Sequence, residues 1–174
     1  MIEPSILLTP RLRLEALCEV HADAMQTVLQ DDRLYAWMPD TRFPDADGLR
    51  QRYRRLAAGS GDVEEIWLNY IVFASDALTP MGYVQATVYP ARQHAELAYV
   101  LAPAYWGQGF ATEAMLGLIA HLQQRHDLQT LSLQIDARNQ PSLALASRLG
   151  FQITRSVTDE GTLDYILTRT LQPD

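Results

Sequence analysis

The segment from Tyr105 to Ala114 constrains the fold of this chain more than any other. It reads Tyr-Trp-Gly-Gln-Gly-Phe-Ala-Thr-Glu-Ala and lies between a predicted strand and the longest helical pattern of the sequence. Glycines at positions 107 and 109 give the backbone the freedom of a tight strand-to-helix turn and let a ligand approach closely. Unpaired N–H groups and the helix dipole make the start of such a helix a ready site for an anion.

Neither of the two common nucleotide-binding turns matches this segment. No Gly-Lys-Ser/Thr follows the glycines, as a P-loop would require, and Thr112 stands where the dinucleotide fingerprint has its third glycine. A structural turn without a ligand stays open while the turn is considered alone, because a single pair of glycines is a weak motif.

Hydrophobic periodicity predicts one α/β (α+β) domain over residues 1–174. The predicted order is β-α-α-β-β-β-α-β-α-β-β, a mixed and mostly antiparallel sheet of roughly six to seven strands flanked by about four helices. The strands are predicted over residues 6–14 (interrupted by Pro10), 66–74, 81–89, 95–101, 131–135, 151–157 and 164–170, and the helices over 21–30, 45–58, 109–125 and 141–149.

Composition argues against several classes of partner. The formal net charge is −7, so neither nucleic acid nor an anionic membrane is an expected partner. No apolar run is long enough to span a bilayer, and residues 1–4 lack the regions of a signal peptide. The single cysteine, Cys18, excludes an internal disulfide, and we expect it to be a small buried residue and not a nucleophile. These features favour a cytoplasmic protein.

Two further motifs accompany the glycine turn. Residues 8–14 read Leu-Thr-Pro-Arg-Leu-Arg-Leu, and Asn139-x-x-Ser142 continues to Leu-Gly-Phe at 149–151. Together the three motifs resemble the GNAT superfamily of acyl-CoA N-acyltransferases, whose signature is Arg/Gln-x-x-Gly-x-Gly/Ala. Trp106 replaces the Arg or Gln. That replacement is usual in the RimJ/RimL-like branch, which acetylates N-termini of ribosomal proteins, and in its small-amine-modifying relatives.

The resemblance implies acetyl-CoA as the co-substrate. Its pantetheine arm would lie where one strand splays from the next, beside Tyr99, Val100 and Leu101. Asn139 would contact the coenzyme, although an asparagine there also suits the N-cap of the last helix. The pyrophosphate would bind backbone N–H groups of the turn, which belong to Gly107, Gln108, Gly109, Phe110, Ala111 and Thr112. No metal is expected, because the four histidines lack paired spacing and are expected at the surface.

Acetyl transfer from a thioester to an amine needs a base and a stabilised leaving thiolate, but no enzyme nucleophile. Glu96 is the predicted base. Strand alternation places it with Ala98 and Val100 on one small, apolar face, and burial raises the pKa of a carboxyl group. Many relatives also carry a glutamate in this context. An exposed carboxylate on a surface strand is the alternative.

The proton donor for the thiolate is a separate question. Many members of the superfamily use a tyrosine on the last helix, but Ala146 occupies that position here, so this route is absent. The resemblance points instead to Ser142. Its hydroxyl could equally serve only the first turn of the helix, and the two interpretations stay open.

The acceptor side is less defined. Trp37 is the candidate substrate-binding residue, because it lies in the irregular segment between the first two helices, which borders the acceptor groove in the family. Glu113 is expected to be structural, since an acidic residue in the first turn complements the helix dipole.

The predicted function is an N-acetyltransferase that moves an acetyl group from acetyl-CoA to a primary amine by direct attack in a ternary complex. The amine would belong to a protein N-terminus or to a small molecule, and the enzyme would act as a monomer or homodimer. The alternatives are a non-catalytic acyl-CoA-binding sensor or scaffold, and a structural domain without a ligand.

Overall fold

A computed structural model describes residues 6–38, 42–159 and 161–171 of the chain. Its strands are β1 (Ile6–Leu8), β2 (Leu12–Ala16), β3 (Ile66–Ala74), β4 (Pro80–Tyr89), β5 (His94–Leu101), β6 (Thr130–Asp136), β7 (Gln152–Asp159) and β8 (Thr162–Thr170). Its α-helices are α1 (Ala22–Val28), α2 (Ala46–Ala58), α3 (Phe110–Arg125) and α4 (Gln140–Arg148). Every predicted helix and strand has a counterpart within a few residues of its expected ends.

The first predicted strand is wrong in one respect. Residues 6–14 do not form a single strand, because the chain reverses around Pro10, which has no N–H to donate to a strand ladder. The Thr9 N–H donates to the Leu12 carbonyl at 2.9 Å, and β1 folds back antiparallel onto β2 with Leu7 opposite Leu14. The sheet therefore has eight strands within the described residues, against the six to seven expected.

The strands form one mixed sheet in the order β1-β2-β3-β4-β5-β6-β8-β7. Every neighbouring pair is antiparallel except β5 and β6, which are parallel and are connected through α3. A parallel pair needs such a crossover, whereas the antiparallel pairs are mostly joined by short turns.

The parallel pair separates before its strands end. Pairing between β5 and β6 stops at Leu97 opposite Leu133, although β5 continues to Leu101 and β6 to Asp136. The remainder of β5 stays paired with β4, and the remainder of β6 stays paired with β8. The two strands therefore diverge and leave a V-shaped opening in the middle of the sheet.

A glycine in β4 allows β4 and β5 to approach closely beside this opening. Gly82 lies opposite Leu101 and has φ 153°, and a Cβ built there would be 2.0 Å from the Val100 carbonyl oxygen. Only glycine fits where these backbones approach so closely. β4 and β5 thus remain in contact up to the end of β5.

The helices cover both faces of the sheet. α3 and α4 pack on one face over a large apolar core, which includes Leu97, Met115, Leu118, Leu133 and Ala146. α1 and α2 pack on the other face over a smaller core built from Met25, Leu49, Tyr53, Ile71 and Phe73. Within the described part of the chain, no helix is long and apolar enough to cross a membrane.

Candidate active site

A cavity of about 1280 Å³ follows the V-shaped opening. It begins at the glycine turn before α3, runs between β5 and α4, and reaches the residues that follow α1, Leu34, Trp37 and Met38. Its wall includes each of the predicted coenzyme-binding residues except Gln108, namely Tyr99, Val100, Leu101, Gly107, Gly109, Phe110, Ala111, Thr112 and Asn139. An elongated cavity that crosses a sheet suits a ligand with a long flexible arm and a charged end.

The glycine turn has the conformation that its sequence predicts. Gly107 and Gly109 have φ values of 71° and 80°, in the left-handed region that favours glycine. Gly109 is the N-cap residue of α3 and contributes no capping side chain. The first intrahelical bond runs from the Glu113 N–H to the Gly109 carbonyl at 3.0 Å, so the preceding N–H groups have no partner within the helix. The start of α3 can therefore hold an anion.

Trp106 has a structural role that accounts for its place in the motif. Its indole Nε1 donates to the Leu101 carbonyl at 2.7 Å, which ties the turn to the end of β5. The Gln108 amide donates to the Ala104 carbonyl at 2.8 Å. Because the groups of the turn that are expected to bind a ligand are backbone N–H groups, a side chain at position 106 that fixes the turn can replace one that contacts a ligand.

A clamp of three residues, Thr9, Arg11 and Glu113, joins the β1–β2 turn to the first turn of α3. One Glu113 carboxylate oxygen accepts from the Thr9 hydroxyl at 2.6 Å and from the Arg11 N–H at 2.7 Å. The other accepts from Arg11 Nε at 2.6 Å. Arg11 also donates to the Gln108 carbonyl at 3.2 Å, and its guanidinium lies 4.4 Å from the centre of the Phe110 ring. Glu113 is structural, as predicted, but through this clamp as well as the helix dipole.

The clamp also sets the charge state of Glu113. Burial alone would raise the pKa of this carboxyl group, but the hydrogen bonds from Thr9 and Arg11 outweigh it and lower the pKa below its ordinary value. Glu113 is therefore ionised at neutral pH, and its negative charge is neutralised by Arg11. The start of α3 keeps its positive potential for a ligand.

Asn139 and Ser142 lie on the α4 side of the opening. Asn139 is the N-cap of α4, and its side-chain oxygen accepts from the Ser142 N–H at 3.2 Å, so the capping role predicted for it is confirmed. The Ser142 hydroxyl is half-buried in the cavity wall. Opposite them, Tyr99 extends from the end of β5 that no longer pairs with β6. Ala146 is completely buried in the main core.

The structure contradicts the predicted surroundings of Glu96. Its side chain is exposed, as is Ala98 beside it, so the small apolar setting expected from strand alternation is wrong. Alternation identifies which residues share a face, but not whether another element covers that face. On this face α1 and α2 pack against β3 and β4 and leave Glu96 of β5 uncovered.

Glu96 instead lies in a second, polar cleft of about 400 Å³ on the face away from α3. His94, two residues earlier, bonds the hydroxyls of Thr130 and Ser132, at 2.8 Å from Nδ1 and 3.0 Å from Nε2. Burial lowers the pKa of His94 more than the neighbouring Glu96 raises it, so the imidazole is neutral at pH 7. Four residues line both this cleft and the large cavity: Leu97, Ala98, Leu133 and Gln134. The two spaces therefore meet where β5 and β6 part.

Trp37 borders the large cavity, whereas Cys18 and the histidines differ from their predicted burial. Trp37 follows a short 3₁₀ turn (Asp32–Ala36), is 39% exposed and lines the far end of the cavity. Cys18 is not buried as expected but half-buried, with Sγ 3.6 Å from His21 Nδ1. The expectation of four surface histidines is wrong as well, because His121 is buried and the other three are half-buried. No group of three metal-ligating side chains occurs among the described residues.

Comparison with known proteins decides the family. The model of the acetyltransferase (GNAT) domain matches residues 11–152. This protein belongs to the GNAT acetyltransferase family. As a GNAT enzyme it is an acetyl-CoA-dependent acetyltransferase. A curated relative, the uncharacterised N-acetyltransferase p20 of Bacillus licheniformis, is 27% identical over 147 residues, which cover 84% of this chain and 82% of that protein.

Solved structures share the fold. The acetyltransferase from Salmonella typhimurium that modifies the N-terminal serine of the ribosomal protein L7/L12 is 18% identical and has a TM-score of 0.82, over 96% of this chain and 99% of the other. The microcin self-immunity acetyltransferase MccE, in complex with acetyl-CoA and AMP, is 15% identical with a TM-score of 0.81, over 94% of each chain.

Sequence reasoning missed three features of this GNAT site. The segment from Thr9 to Arg11 was recognised as part of a motif but was given no role, since the partner of Thr9 and Arg11, Glu113, lies more than a hundred positions away. Sequence reasoning also missed the polar cleft around His94, which residues of the five strands β4 to β8 build together. It assigned Tyr99 only a place beside the coenzyme and did not consider its hydroxyl group.

Proposed function

We propose that this GNAT enzyme transfers the acetyl group of acetyl-CoA directly to a primary amine bound at the polar cleft, with Glu96 removing the amine proton. The meeting of the two spaces at Leu97, Ala98, Leu133 and Gln134 is the observation that carries this proposal. A thioester delivered from the α3 side and an amine delivered from the other side would meet there. An attack at that point needs no covalent enzyme intermediate.

The coenzyme would occupy the large cavity. Its pyrophosphate would bind the N–H groups at the start of α3, because they are free of intrahelical partners and carry the positive end of the helix dipole. The pantetheine arm would follow the end of β5 beyond Leu97, where the backbone groups that face the opening no longer pair with β6. Asn139 would contact it with the amide atoms not used in capping.

Glu96 fits the role of base for a reason other than the predicted burial. Glu96 directly precedes Leu97 and Ala98, two of the residues that line both the large cavity and the polar cleft. Its exposed carboxylate can receive a proton directly or through water and release it to solvent. Tyr89 and His94 flank it, and Glu96 contributes to raising the pKa of the Tyr89 hydroxyl, after burial. Ser142, on the other side of the opening, would face the departing sulfur.

The acceptor is a small-molecule amine or a protein N-terminus. Solved structures of the same fold include an enzyme that modifies the N-terminal serine of a ribosomal protein and one in complex with acetyl-CoA and AMP, which supports keeping both kinds of acceptor in the proposal. Trp37 lines the large cavity and not the polar cleft, so it would contact the part of the acceptor that extends into the large cavity beyond the meeting point of the two spaces. A cytoplasmic, single-domain enzyme, monomeric or homodimeric, is consistent with the net charge of −7 and the single cysteine.

The test is turnover with a panel of amines and N-terminal peptides, followed by release of the free thiol of CoA. Initial rates with both substrates varied should give intersecting lines, as a ternary complex requires, and not the parallel lines of a ping-pong mechanism. Tight binding of acetyl-CoA without turnover across the whole panel would favour the alternative function, a non-catalytic sensor.

The role of Glu96 is tested by Glu96→Gln. We expect turnover to fall roughly a hundredfold or more, because the amine proton loses its acceptor, with acetyl-CoA affinity nearly intact. Glu64→Gln is the matched control, since it removes the same charge from an exposed position outside both cavities. Equal turnover of the two variants across the pH range would remove Glu96 from the mechanism.

A further inference from the structure

The hydroxyl group of Tyr99 is a buried donor without a partner. Its oxygen has essentially no exposed surface and no hydrogen-bond partner in the structure. A buried hydroxyl left unpaired destabilises the folded state, so such a group is expected to be retained for a purpose that the free protein does not show. Phenylalanine would fill the same space without this cost.

The position of the hydroxyl indicates that purpose. Tyr99 lies two residues beyond the last β5–β6 pair and lines the large cavity on the side of α3 and α4. Across the opening, the side chain of Ser142 in α4 is close enough to lower the pKa of Tyr99. Leu97 and Ala98, where the cavity meets the polar cleft, immediately precede it. An acetyl group at this meeting point would have its sulfur on the coenzyme side, next to Tyr99.

The hydroxyl is suited to donate a hydrogen bond and to keep its proton. Burial raises the pKa of Tyr99, and the nearby side chain of Ser142 and the positive charge of Arg148 offset this only in part. A model thiol has a pKa near 8.5, below that of a tyrosine, so a thiolate beside this hydroxyl accepts a hydrogen bond without deprotonating it.

We infer that the Tyr99 hydroxyl is a catalytic group that donates a hydrogen bond to the sulfur of CoA as the thiolate leaves. This inference rests on the proposed direct transfer. In that step the C–N bond forms, the C–S bond breaks and its electron pair passes to sulfur. The proton of the amine passes to Glu96 and then to solvent. The thiolate is stabilised by Tyr99 and takes its proton from solvent, so Tyr99 ends the reaction unchanged.

Tyr99→Phe tests the inference, and Tyr53→Phe is its matched control. The Tyr53 hydroxyl is also buried without a partner, but Tyr53 lies in the smaller core and lines neither cavity. Both substitutions should therefore raise the Tm of the free protein by a few degrees. Only Tyr99→Phe should lower kcat, by about ten- to a hundredfold, with the Kd for acetyl-CoA changed no more than about threefold.

A second measurement tests Tyr99 without any acceptor. In the complex with CoA, the hydrogen bond should lower the pKa of the CoA thiol, which is followed by the ultraviolet absorbance of the thiolate during a pH titration. Tyr99→Phe should return that pKa to the value of free CoA, and Tyr53→Phe should not. This titration needs no acceptor. If no amine in the panel were acetylated, the proposed function would be overturned, but the titration would still show whether the Tyr99 hydroxyl bonds the CoA sulfur.

Two outcomes would overturn the inference. One is an unchanged thiol pKa in Tyr99→Phe together with wild-type turnover. The other is a large loss of acetyl-CoA affinity with kcat and thiol pKa unchanged, which would place the hydrogen bond elsewhere on the coenzyme.

Discussion

The clamp formed by Thr9, Arg11 and Glu113 gives the most quantitative prediction, through the variant Glu113→Gln. Glutamine keeps a carbonyl oxygen for the Thr9 hydroxyl and the Arg11 N–H, but turns an NH₂ group toward Arg11 Nε, which is itself a donor. The charge-assisted bond at 2.6 Å is lost, and Arg11 loses its counter-charge. The carboxylate is only 16% exposed, so water replaces this bond poorly.

The size of the effect follows from that geometry. A hydrogen bond to a charged group contributes about 1.5–3 kcal/mol, and because Arg11 is 48% exposed we reduce this to about 1–2 kcal/mol. With a urea m-value of about 2 kcal/mol/M, the unfolding midpoint should fall by about 0.5–1 M. The control Glu19→Gln removes a pair with Arg54 in which both side chains are largely exposed, and should shift the midpoint by about 0.2 M or less.

The pH dependence gives a second check on the clamp. The pKa of Glu113 is lower in the folded than in the unfolded protein, so its contribution is full above the unfolded value near 4.5 and is lost as the pH falls through the folded pKa. The difference in midpoint between wild type and Glu113→Gln should therefore narrow in acid. Midpoint shifts of equal size for Glu113→Gln and Glu19→Gln, or a difference that does not change with pH, would refute the assigned role.

Two further predictions concern ligand binding. Acetyl-CoA at a hundredfold excess over its Kd should stabilise the wild type by about 2.7 kcal/mol, or about 5–10 °C in Tm. Gly109→Val should abolish this shift. The control Gly59→Val also replaces a glycine of positive φ, but outside the cavity, and should keep the shift. A shift retained in Gly109→Val would show that the pyrophosphate does not bind at the turn. Trp37→Ala should raise the KM for the amine roughly tenfold and leave that for acetyl-CoA unchanged, because we place the indole against the acceptor and not among the coenzyme-binding residues of the turn, β5 and α4. A change confined to the KM for acetyl-CoA would place Trp37 on the coenzyme side.

Local patterns were enough to predict much of the fold. The helical spacing of apolar residues located α3 and α4, and the cap that Asn139 provides was expected from its residue type and position. The turn of Gly107 and Gly109 was expected to lie between a strand and a helix, and its left-handed dihedrals are those that two glycines allow. The splitting of residues 6–14 into two strands was missed, because a proline indicates an interruption but not the direction of the chain beyond it.

The candidate site could be predicted only in part, because local patterns do not show which elements pack against each other. Which residues share the face of a strand depends on strand periodicity and is readable along the chain, and Glu96, Ala98 and Val100 do share one. Whether that face is covered depends on where α1 and α2 pack, and in the folded protein they leave Glu96 in an open polar cleft. Burial is a property of neighbours distant in sequence.

The amino-acid sequence by itself determined the backbone-based features of this protein: the glycine turn at the start of α3, the capped start of α4 and the periodicities of the sheet. Each depends on interactions within a few residues of the same segment. Tertiary structure alone decided the clamp between Arg11 and Glu113, the parting of β5 from β6 after Leu97, and the isolation of the Tyr99 hydroxyl. These depend on strands and helices that meet only when the chain is folded, where packing and not residue type decides which polar groups find a partner.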